Sequence, residues 1–288
     1  MFKKFAHSLT PPIFWIALRR LFALIKGRPT YEPTVYSSVD ACPIISDDIW
    51  SNSRWLKHVE ADGKEALRQP SKELNMHQSS LLIAALASTP LGGQKQVSIL
   101  DFGGGVGLYF PFLQNTLSFL GVIPRYAVVD SPTSCEVGRR LNKQEGNIQF
   151  FNSHERGLNL AHDFLGFIDV CNISSTLHYI LNWREALQTV VQLSPRLIII
   201  SRAPTPDMAS HEGYVIQHIA TKYGYCGAAR VVLIPAALLI DAMESMGYSL
   251  LIEQGWVGDA QWCWEAGCSS TPYQQLTTRS FVFIRRAN

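Results

Sequence analysis

The chain lacks the apolar run of about 20 residues that a membrane-spanning helix needs, and it lacks an excess of charge of either sign. Its 288 residues carry 25 lysines and arginines against 23 aspartates and glutamates, a formal net charge of +2. The first absence predicts a protein with no membrane-spanning helix. The second predicts a protein without a nucleic-acid partner, because nucleic-acid-binding surfaces need clustered positive charge.

Cysteine is also scarce, and its positions follow no pattern. The six cysteines form no C-x-x-C pair and show neither the spacing of a disulfide framework nor that of a zinc site. We therefore predict no bound metal, a buried thiol at Cys171 within an apolar stretch, and a reducing, cytoplasmic location. Hydrophobic residues make up 47% of the chain, which is enough for one large core and an extension.

A third absence concerns the glycine-rich turn at residues 101–107, whose sequence is Asp-Phe-Gly-Gly-Gly-Val-Gly. The dinucleotide-binding fingerprint G-x-G-x-x-G needs a third glycine, and the frame that starts at Gly103 has Leu108 there. The frame that ends at Gly107 would need glycine where Phe102 stands. The fingerprint fails in both frames, which counts against an NAD-dependent oxidoreductase and leaves it as a minor alternative.

The surroundings of the turn nevertheless predict a ligand site. An apolar run at 97–100 is typical of a buried strand, and a helical stretch follows at 108–120. A strand, a glycine turn and a helix together place the helix N-terminus and free backbone N–H groups against a ligand. Glycine is needed because a side chain would keep the ligand away from the backbone and because such turns use positive φ angles.

The glycines do fit a D-x-G-x-G-x-G pattern, made of Asp101, Gly103, Gly105 and Gly107. This pattern resembles motif I of the class I S-adenosylmethionine-dependent methyltransferases. The resemblance implies S-adenosylmethionine as the cofactor, with its methionine part wrapped by the turn, Gly104 included, and its ammonium group near Asp101. A carboxylate suits this ligand, because the ligand carries a sulfonium and a free amine rather than a pyrophosphate.

Beyond the turn, short apolar strands alternate with helical stretches. That alternation predicts an α/β fold with a mainly parallel sheet covered by helices on both faces. The resemblance implies more, a Rossmann-like class I methyltransferase fold of seven strands whose last strand is antiparallel. The predicted strands are 97–102, 125–130, 148–152, 167–173, 196–201, 249–253 and 279–285. The predicted helices are 48–69, 73–88, 108–120, 132–143, 182–193 and 235–246.

Open α/β sheets bind ligands at the carboxyl ends of their strands, which selects further candidates. Asp130 ends the second predicted strand, and Asn172 lies at the end of the fourth. Asn152 and Ser153 follow the third. The resemblance implies that Asp130 accepts hydrogen bonds from ribose hydroxyls, that the loop after the third strand contacts adenine, and that the segment from Asn172 faces the transferable methyl group. Alternatively, Asp130 caps the helix that begins near Ser131.

His178 is the candidate general base, because an unperturbed imidazole titrates near neutral pH. Its alternative role is structural, at the start of a helix, bound to backbone or packed against the cofactor. The insertion at 202–230 follows the fifth strand, and long insertions there often serve as lids or acceptor sites. Within it, His211 with Glu212 is a second candidate source of a base, and a solvated connector is the alternative.

We predict two parts of the chain, an extension at 1–70 and a methyltransferase domain at 71–288 with the insertion at 202–230. Residues 2–28 hold six lysines and arginines, no acidic residue, and several aromatic residues. A basic helix with aromatic anchors can lie in a membrane interface, which predicts peripheral contact with the inner membrane. Packing of this helix on its own domain or on a partner subunit, as in a homo-oligomer, is the alternative.

Short segments extend the resemblance to a sequence-defined group of bacterial methyltransferases that accompany surface-polysaccharide genes. The matching segments are 11–12, 100–104, 130–132, 174–179, 202–204 and 223–226. The resemblance implies O-methylation of a sugar, a glycan precursor or another small molecule. A non-catalytic, cofactor-binding subunit of a glycan-assembly complex would show the same turn, so this alternative stays open.

Overall fold

The structure is a computed structural model, and it describes residues 30–32, 34–45, 49–70, 81, 84–85, 95–153, 156–218, 227–256, 273 and 276–287. The predicted basic helix at 1–28 lies outside the described residues, as does most of the predicted helix at 73–88. Among the helices within the described ranges, none is long and apolar enough to cross a membrane.

Ten strands and six α-helices have defined bounds within the described ranges. The strands are β1 (Thr30–Tyr31), β2 (Lys95–Phe102), β3 (Val122–Asp130), β4 (Ile148–Asn152), β5 (Val170–Ser174), β6 (Leu197–Pro206), β7 (Gly213–His218), β8 (Ala228–Leu233), β9 (Tyr248–Trp256) and β10 (Leu276–Arg285). The helices are α1 (Ser53–Arg68), α2 (Phe110–Ser118), α3 (Pro132–Leu141), α4 (Gly157–Leu165), α5 (Trp183–Gln192) and α6 (Ala236–Ser245).

The central sheet has seven strands in the order β4-β3-β2-β5-β6-β10-β9. Neighbours from β4 to β6 pair in parallel, and β10 is antiparallel to both β6 and β9. The prediction of a Rossmann-like, mainly parallel seven-stranded sheet with an antiparallel last strand is therefore confirmed. The order changes direction between β2 and β5, the switch point at which open sheets of this kind bind ligands.

The two faces of the sheet carry two separate hydrophobic clusters. Along β2, Val97 and Ile99 belong to one cluster and Leu100 to the other, as the alternation of side chains along a strand requires. Helices α2 and α3 cover the first face, and α4, α5 and α6 cover the second. Burying a side chain the size of Leu100 stabilises the fold by about 1.5–3 kcal/mol, so this alternation fixes which face of the sheet each side chain of β2 occupies.

Helix α4 is an element that the sequence analysis missed. It begins after Arg156, which has a left-handed backbone (φ 53°) and makes no side-chain hydrogen bond to the helix. Helix starts are recognised in sequence by a capping Ser, Thr, Asp or Asn, and this start offers none. Ala161 and Leu165 of α4 are buried in the second cluster, so tertiary packing rather than a local signal stabilises the helix.

The predicted insertion contains a second sheet. Strands β7 and β8 form an antiparallel pair, and β1 pairs with β7 in the order β1-β7-β8. Residues Thr30–Tyr31 lie in the predicted extension, and a strand of two residues is too short to show alternation in the sequence. The Tyr179 hydroxyl donates to Gln217 Oε1 (2.8 Å), and Gln217 Nε2 donates to the Tyr31 hydroxyl (2.8 Å).

Helix α1 confirms the helix predicted at 48–69 and lies against the glycine turn. Its Gly63 approaches α3 so closely that an added Cβ would lie 2.6 Å from Leu141 Cδ1 and 3.2 Å from Val106 Cγ2. Glu60 pairs with Arg140 of α3 at 2.6 Å. This helix of the predicted extension therefore contacts the domain next to the turn, while the division of the chain at residue 70 stays a prediction.

Candidate active site

The strand register brings the predicted cofactor residues to one edge of the sheet. In the parallel pairs, Asp101 of β2 lies opposite Asn172 of β5, and Asp130 of β3 lies opposite Asn152 of β4. All four residues stand at or near the carboxyl ends of their strands. Since the carboxyl ends of parallel strands share one edge, the glycine turn after β2 lies between the ends of β3 and β5.

The turn uses the backbone freedom of glycine at three positions. Gly103, Gly105 and Gly107 have φ angles of 73°, 60° and 79°, where other residues are strained. An added Cβ at Gly103 would lie 2.2 Å from Thr176 Cγ2, whereas one at Gly105 would meet nothing within 4 Å. The turn is therefore closed on the Thr176 side and open above Gly105.

Asp101 lies beneath the turn and is fully buried. Its Oδ2 accepts a hydrogen bond from the Tyr126 hydroxyl at 2.7 Å, and its Oδ1 accepts from Asn172 Nδ2 at 2.8 Å. An added Cβ at Gly104 would lie 2.2 Å from Asp101 Oδ2, so glycine is required there. Burial raises the pKa of Asp101 to about 6, although the two donors favour the ionised form.

Asp130 holds the turn from the neighbouring strand. Its Oδ2 accepts from the Gly105 N–H at 2.8 Å, and its Oδ1 accepts from the Ser131 N–H at 2.6 Å. Ser131, not Asp130, caps α3, because the Ser131 hydroxyl accepts from the Ser134 N–H. Asp130 is only partly buried, and each carboxylate oxygen has a further lone pair, which leaves it able to accept from hydroxyls of a ligand.

The other predicted cofactor residues take different positions. Asn172 is buried, and its side-chain amide donates to Asp101. Asn172 therefore orients the Asp101 carboxylate. Asn152 is half-buried at the end of β4, and Ser153 is exposed and donates its N–H to the Asp130 carbonyl at 2.9 Å. The structure thus brings Asn152 and Ser153 beside Asp130, and their contact with adenine stays a prediction.

The segment after β5 closes the site on the other side, through residues that the sequence analysis did not select. The Tyr109 hydroxyl, just beyond the glycine turn, is 2.9 Å from Ser174 Oγ. Thr176 Oγ1 donates toward the Gly103 carbonyl at 3.2 Å. Tyr109 belongs to no motif, and Thr176 stands at an unspecified position of the matching segment 174–179, so the role of each is recognisable only once β2 and β5 are known to be neighbours.

His178 is buried in a short 3₁₀ helix, Leu177–Tyr179, and its Nδ1 has no hydrogen-bond partner within the described residues. Burial, with a smaller effect of the Arg202 charge, lowers the pKa of His178 to about 3. An imidazole with so low a pKa is a weak base, far from the match to working pH that general-base catalysis needs. The structure therefore does not support His178 as the general base, and it remains a neutral donor or acceptor.

The low pKa of His178 predicts a loss of stability in acid. The unfolded chain protonates this imidazole near pH 6.5 and the folded chain near pH 3, so its contribution is complete above pH 6.5 and is lost as pH falls toward 3. At about 1.4 kcal/mol per pH unit, urea unfolding should show wild type losing about 2 kcal/mol more than His178→Phe between pH 7.5 and pH 5. Equal losses in the two proteins would contradict this.

Glu212 of the insertion serves a structural purpose. Its Oε2 accepts from Trp183 Nε1 and its Oε1 accepts from Arg184 Nη1, both at 2.6 Å. These bonds attach the turn before β7 to the first residues of α5. His211 is exposed and lies 3.3 Å from Ser210 Oγ. A carboxylate with two committed oxygens is a poor base, so the structure does not support a His211–Glu212 pair as a source of one.

No protein-family model matches the chain, and no curated protein matches it. Solved structures of similar fold include the CcbJ methyltransferase from Streptomyces caelestis (15% identity, 78% of this chain, 98% of that chain, TM-score 0.46). Magnesium protoporphyrin IX methyltransferase from Synechocystis PCC 6803 is 16% identical (81% and 97% covered, TM-score 0.45). The cyclase SpnF is 10% identical (73% and 81% covered, TM-score 0.48). With TM-scores below 0.5, sheet order and turn geometry must carry any proposal about function.

Proposed function

We propose that the protein is an S-adenosylmethionine-dependent methyltransferase. The observation that carries the proposal is the open backbone at Gly105, held by the Asp130 carboxylate and placed above the buried Asp101 carboxylate. The turn therefore combines an open backbone with two carboxylates, while the N–H groups of Gly103, Gly105 and Gly107 are bonded within the protein. That combination suits a ligand with a cationic amine and sulfonium, and it does not suit a pyrophosphate.

Different residues along the sheet edge would bind different parts of the cofactor. The methionine part would lie against Gly103–Gly107, with its ammonium group nearest Asp101. The ribose would lie at Asp130, whose carboxylate oxygens have further lone pairs for the ribose hydroxyls. The adenine would lie beside Asn152 and Ser153. Ser153 donates its backbone N–H to Asp130's carbonyl, so the adenine-side loop and the ribose-side strand are held together.

When bound, S-adenosylmethionine supplies an electrophilic methyl group on a positively charged sulfur. The residues of this chain have to place an acceptor in line with that methyl group, which supplies much of the rate acceleration. They also have to exclude water, because a charge that disappears during transfer favours a less polar surrounding. Tyr109 and Thr176 lie beside Gly103, where the acceptor would stand.

The nature of the acceptor is proposed from the sequence resemblance alone. It implies O-methylation of a sugar or glycan precursor by a cytoplasmic enzyme of polysaccharide biosynthesis. Contact with the inner membrane through residues 1–28 is proposed from their basic and aromatic composition, and assembly into a homo-oligomer is the alternative for the same segment. The methyltransferases of similar fold act on an amino pentose in one case and on magnesium protoporphyrin IX in another, as their names state, so the fold accepts different acceptors.

Titration calorimetry of the purified protein tests the proposal. We expect S-adenosylmethionine and S-adenosylhomocysteine to bind with micromolar dissociation constants and NAD to show no binding. Binding of NAD alone would replace the proposal with an oxidoreductase, the alternative that Leu108 already disfavours. Binding of the first two ligands without methyl transfer to any sugar, nucleotide sugar or lipid-linked glycan would favour the non-catalytic subunit. A folded protein that binds none of the three would contradict the proposed site.

The raised pKa of Asp101 adds a prediction about pH. The carboxyl is ionised above about pH 6 and protonated below it, so its attraction for the ligand's ammonium group is lost in acid. We expect the dissociation constant of S-adenosylmethionine to rise severalfold between pH 7.5 and pH 5. The Asp101→Asn variant should bind more weakly at pH 7.5 and show little change with pH. A wild-type affinity that is constant over this range would remove Asp101 from contact with the cation.

A further inference from the structure

Two residues at the ligand edge of the sheet have backbones that are unusual for their residue types. Ser175 and Arg202 have φ angles of 56° and 59°, in the left-handed region where residues other than glycine are strained. Ser175 follows the end of β5, and Arg202 follows Ser201, the last residue of β6 that pairs with β5. The Ser175 N–H donates to the Ser201 carbonyl at 2.9 Å. Strain of this kind persists where the surrounding structure imposes it, and it concentrates at binding and catalytic sites.

Arg202 also sits in a β-bulge. In the β6–β10 pair, Ala203 lies opposite Arg279 and Ile200 lies opposite Phe281. Ser201 and Arg202 therefore face the single residue Ser280, and the ladder is interrupted between them. A bulge redirects a side chain and is common beside active sites. Arg202 is exposed although both neighbours along β6 are buried, so the bulge brings a charged side chain to the surface where the pairing of β6 with β5 ends.

Within the described part of the chain, Arg202 differs from two other arginines in having no ion pair. Arg184 pairs with Glu212, and Arg279 pairs with both Asp207 and Glu253. Across the described ranges, no carboxylate forms an ion pair with Arg202. A guanidinium presents paired N–H groups whose spacing matches the two oxygens of a carboxylate or phosphate. Arg202 thus has the chemistry of a residue that binds the oxyanion of a ligand.

His178 supplies a second, independent observation at the same place. Its Nδ1 is buried and lacks a hydrogen-bond partner in the described part of the chain. A buried polar atom without a partner is rare in a native protein and needs an explanation. The charge of Arg202 reaches this imidazole strongly enough to contribute to its lowered pKa. The 3₁₀ helix that carries His178 also packs on β6, and Ser175 bonds to Ser201 next to Arg202, so the two side chains belong to the same corner of the sheet.

We propose that Arg202, together with His178, binds a carboxylate or phosphate group carried by the methyl acceptor. The inference rests on the proposed function and narrows its substrate to an anionic compound. Position supports it, because Ser201 pairs with Ser174 in the sheet register and Ser174 contacts Tyr109 beside the glycine turn. An oxyanion at Arg202 would hold the acceptor at the edge of the sheet where the cofactor methyl is expected.

The variant Arg202→Gly tests the proposal, because it removes the guanidinium and also releases the left-handed strain. Ser194→Gly is its matched control: Ser194 is exposed, has a φ of 54°, and precedes the opposite end of β6. Lys143→Gln removes one exposed positive charge far from the site. All three variants should stay folded, with melting temperatures within about 5 °C of wild type.

The probes are three related sugars, namely glucuronate with a carboxylate, glucose 1-phosphate with a phosphate, and neutral glucose. Each is titrated into the protein with and without saturating S-adenosylhomocysteine. We expect wild type, Ser194→Gly and Lys143→Gln to bind at least one anionic sugar at least tenfold more tightly than glucose. Arg202→Gly should lose that preference and keep its affinity for S-adenosylhomocysteine. The better anionic probe identifies the carboxylate or the phosphate as the recognised group.

Two results would overturn the inference: wild type binding glucose as tightly as both anionic sugars, or Arg202→Gly keeping the wild-type preference. Either result, with S-adenosylhomocysteine still bound, would leave the proposed function intact. Failure of S-adenosylhomocysteine to bind any of the proteins would instead contradict the proposed function. The titrations without that ligand would still decide whether Arg202 binds an oxyanion.

Discussion

Replacing Gly105 with valine should abolish the binding of S-adenosylhomocysteine, raising its dissociation constant at least about 100-fold, or roughly 2.7 kcal/mol. An added Cβ at this position meets no atom of the described residues within 4 Å. The valine side chain would therefore enter space that the protein leaves open and that the proposed cofactor fills. The Gly105 N–H also donates to Asp130, so a shift of this backbone would move the ribose-binding carboxylate as well.

Gly121 provides the matched control for this substitution. It has a φ of 66°, close to the 60° of Gly105, and an added Cβ there also meets nothing within 4 Å. It lies just before β3, at the opposite edge of the sheet. Valine in either position imposes left-handed strain of about 1–2 kcal/mol on the fold, so the two variants should lose similar free energy of unfolding.

Calorimetry and urea unfolding on the two glycine variants then separate binding from stability. Only Gly105→Val should lose the ligand, and Gly121→Val should bind as wild type does. Normal binding by Gly105→Val would show that the cofactor does not lie against the turn. Loss of binding in both variants would point to general strain rather than to a filled site.

The second large effect is expected from Asp130→Ala. This change removes the acceptor of the Gly105 and Ser131 N–H groups and, in the proposed complex, the acceptor of the ribose hydroxyls. Hydrogen bonds to a charged group contribute about 1.5–3 kcal/mol each. Allowing for partial replacement by water, we expect S-adenosylhomocysteine to bind roughly 30- to 150-fold more weakly, or about 2–3 kcal/mol.

Two further variants show whether the Asp130 effect comes from the site. Asp130→Asn keeps one acceptor oxygen and should lie between wild type and alanine in affinity. Glu136→Ala removes an exposed carboxylate from the first part of α3 and should change the dissociation constant less than about twofold. If Asp130→Ala bound the ligand with wild-type affinity, the ribose would have to lie elsewhere along the sheet edge.

Much of the fold was predictable because its signals are local. The apolar run before the glycine turn and the alternating elements after it specify a parallel sheet, and the structure confirms seven strands. The D-x-G-x-G-x-G pattern indicated a turn that needs positive φ angles, and three of its glycines have them. Asp130 was found by its place at a strand end, which a sequence can show before any contact is known.

The rest depends on contacts between residues that are distant in sequence. The Asp101 carboxylate is held by Tyr126 and by Asn172, the latter 71 positions away, and no pattern links these residues. The burial of His178 follows from three-dimensional packing. The sequence analysis assumed the pKa of an unperturbed imidazole, and burial lowers that pKa. Arg202 entered the sequence analysis only as part of a resembling segment, since a bulge needs its partner strand to be recognised.

The pairing of β1 with β7 ties the start of the described chain to a hairpin far along it. Tyr31 and Gln217 are 186 positions apart, and a ribosome adding about 5–20 residues per second needs roughly 10–40 seconds to cover that interval. Throughout that time Tyr31 has no strand to join, whereas the β2–β3–β4 unit has all its members once residue 152 has been added. The glycine turn can therefore form early in synthesis. The hydrogen bonds that join Tyr179, Gln217 and Tyr31 form late.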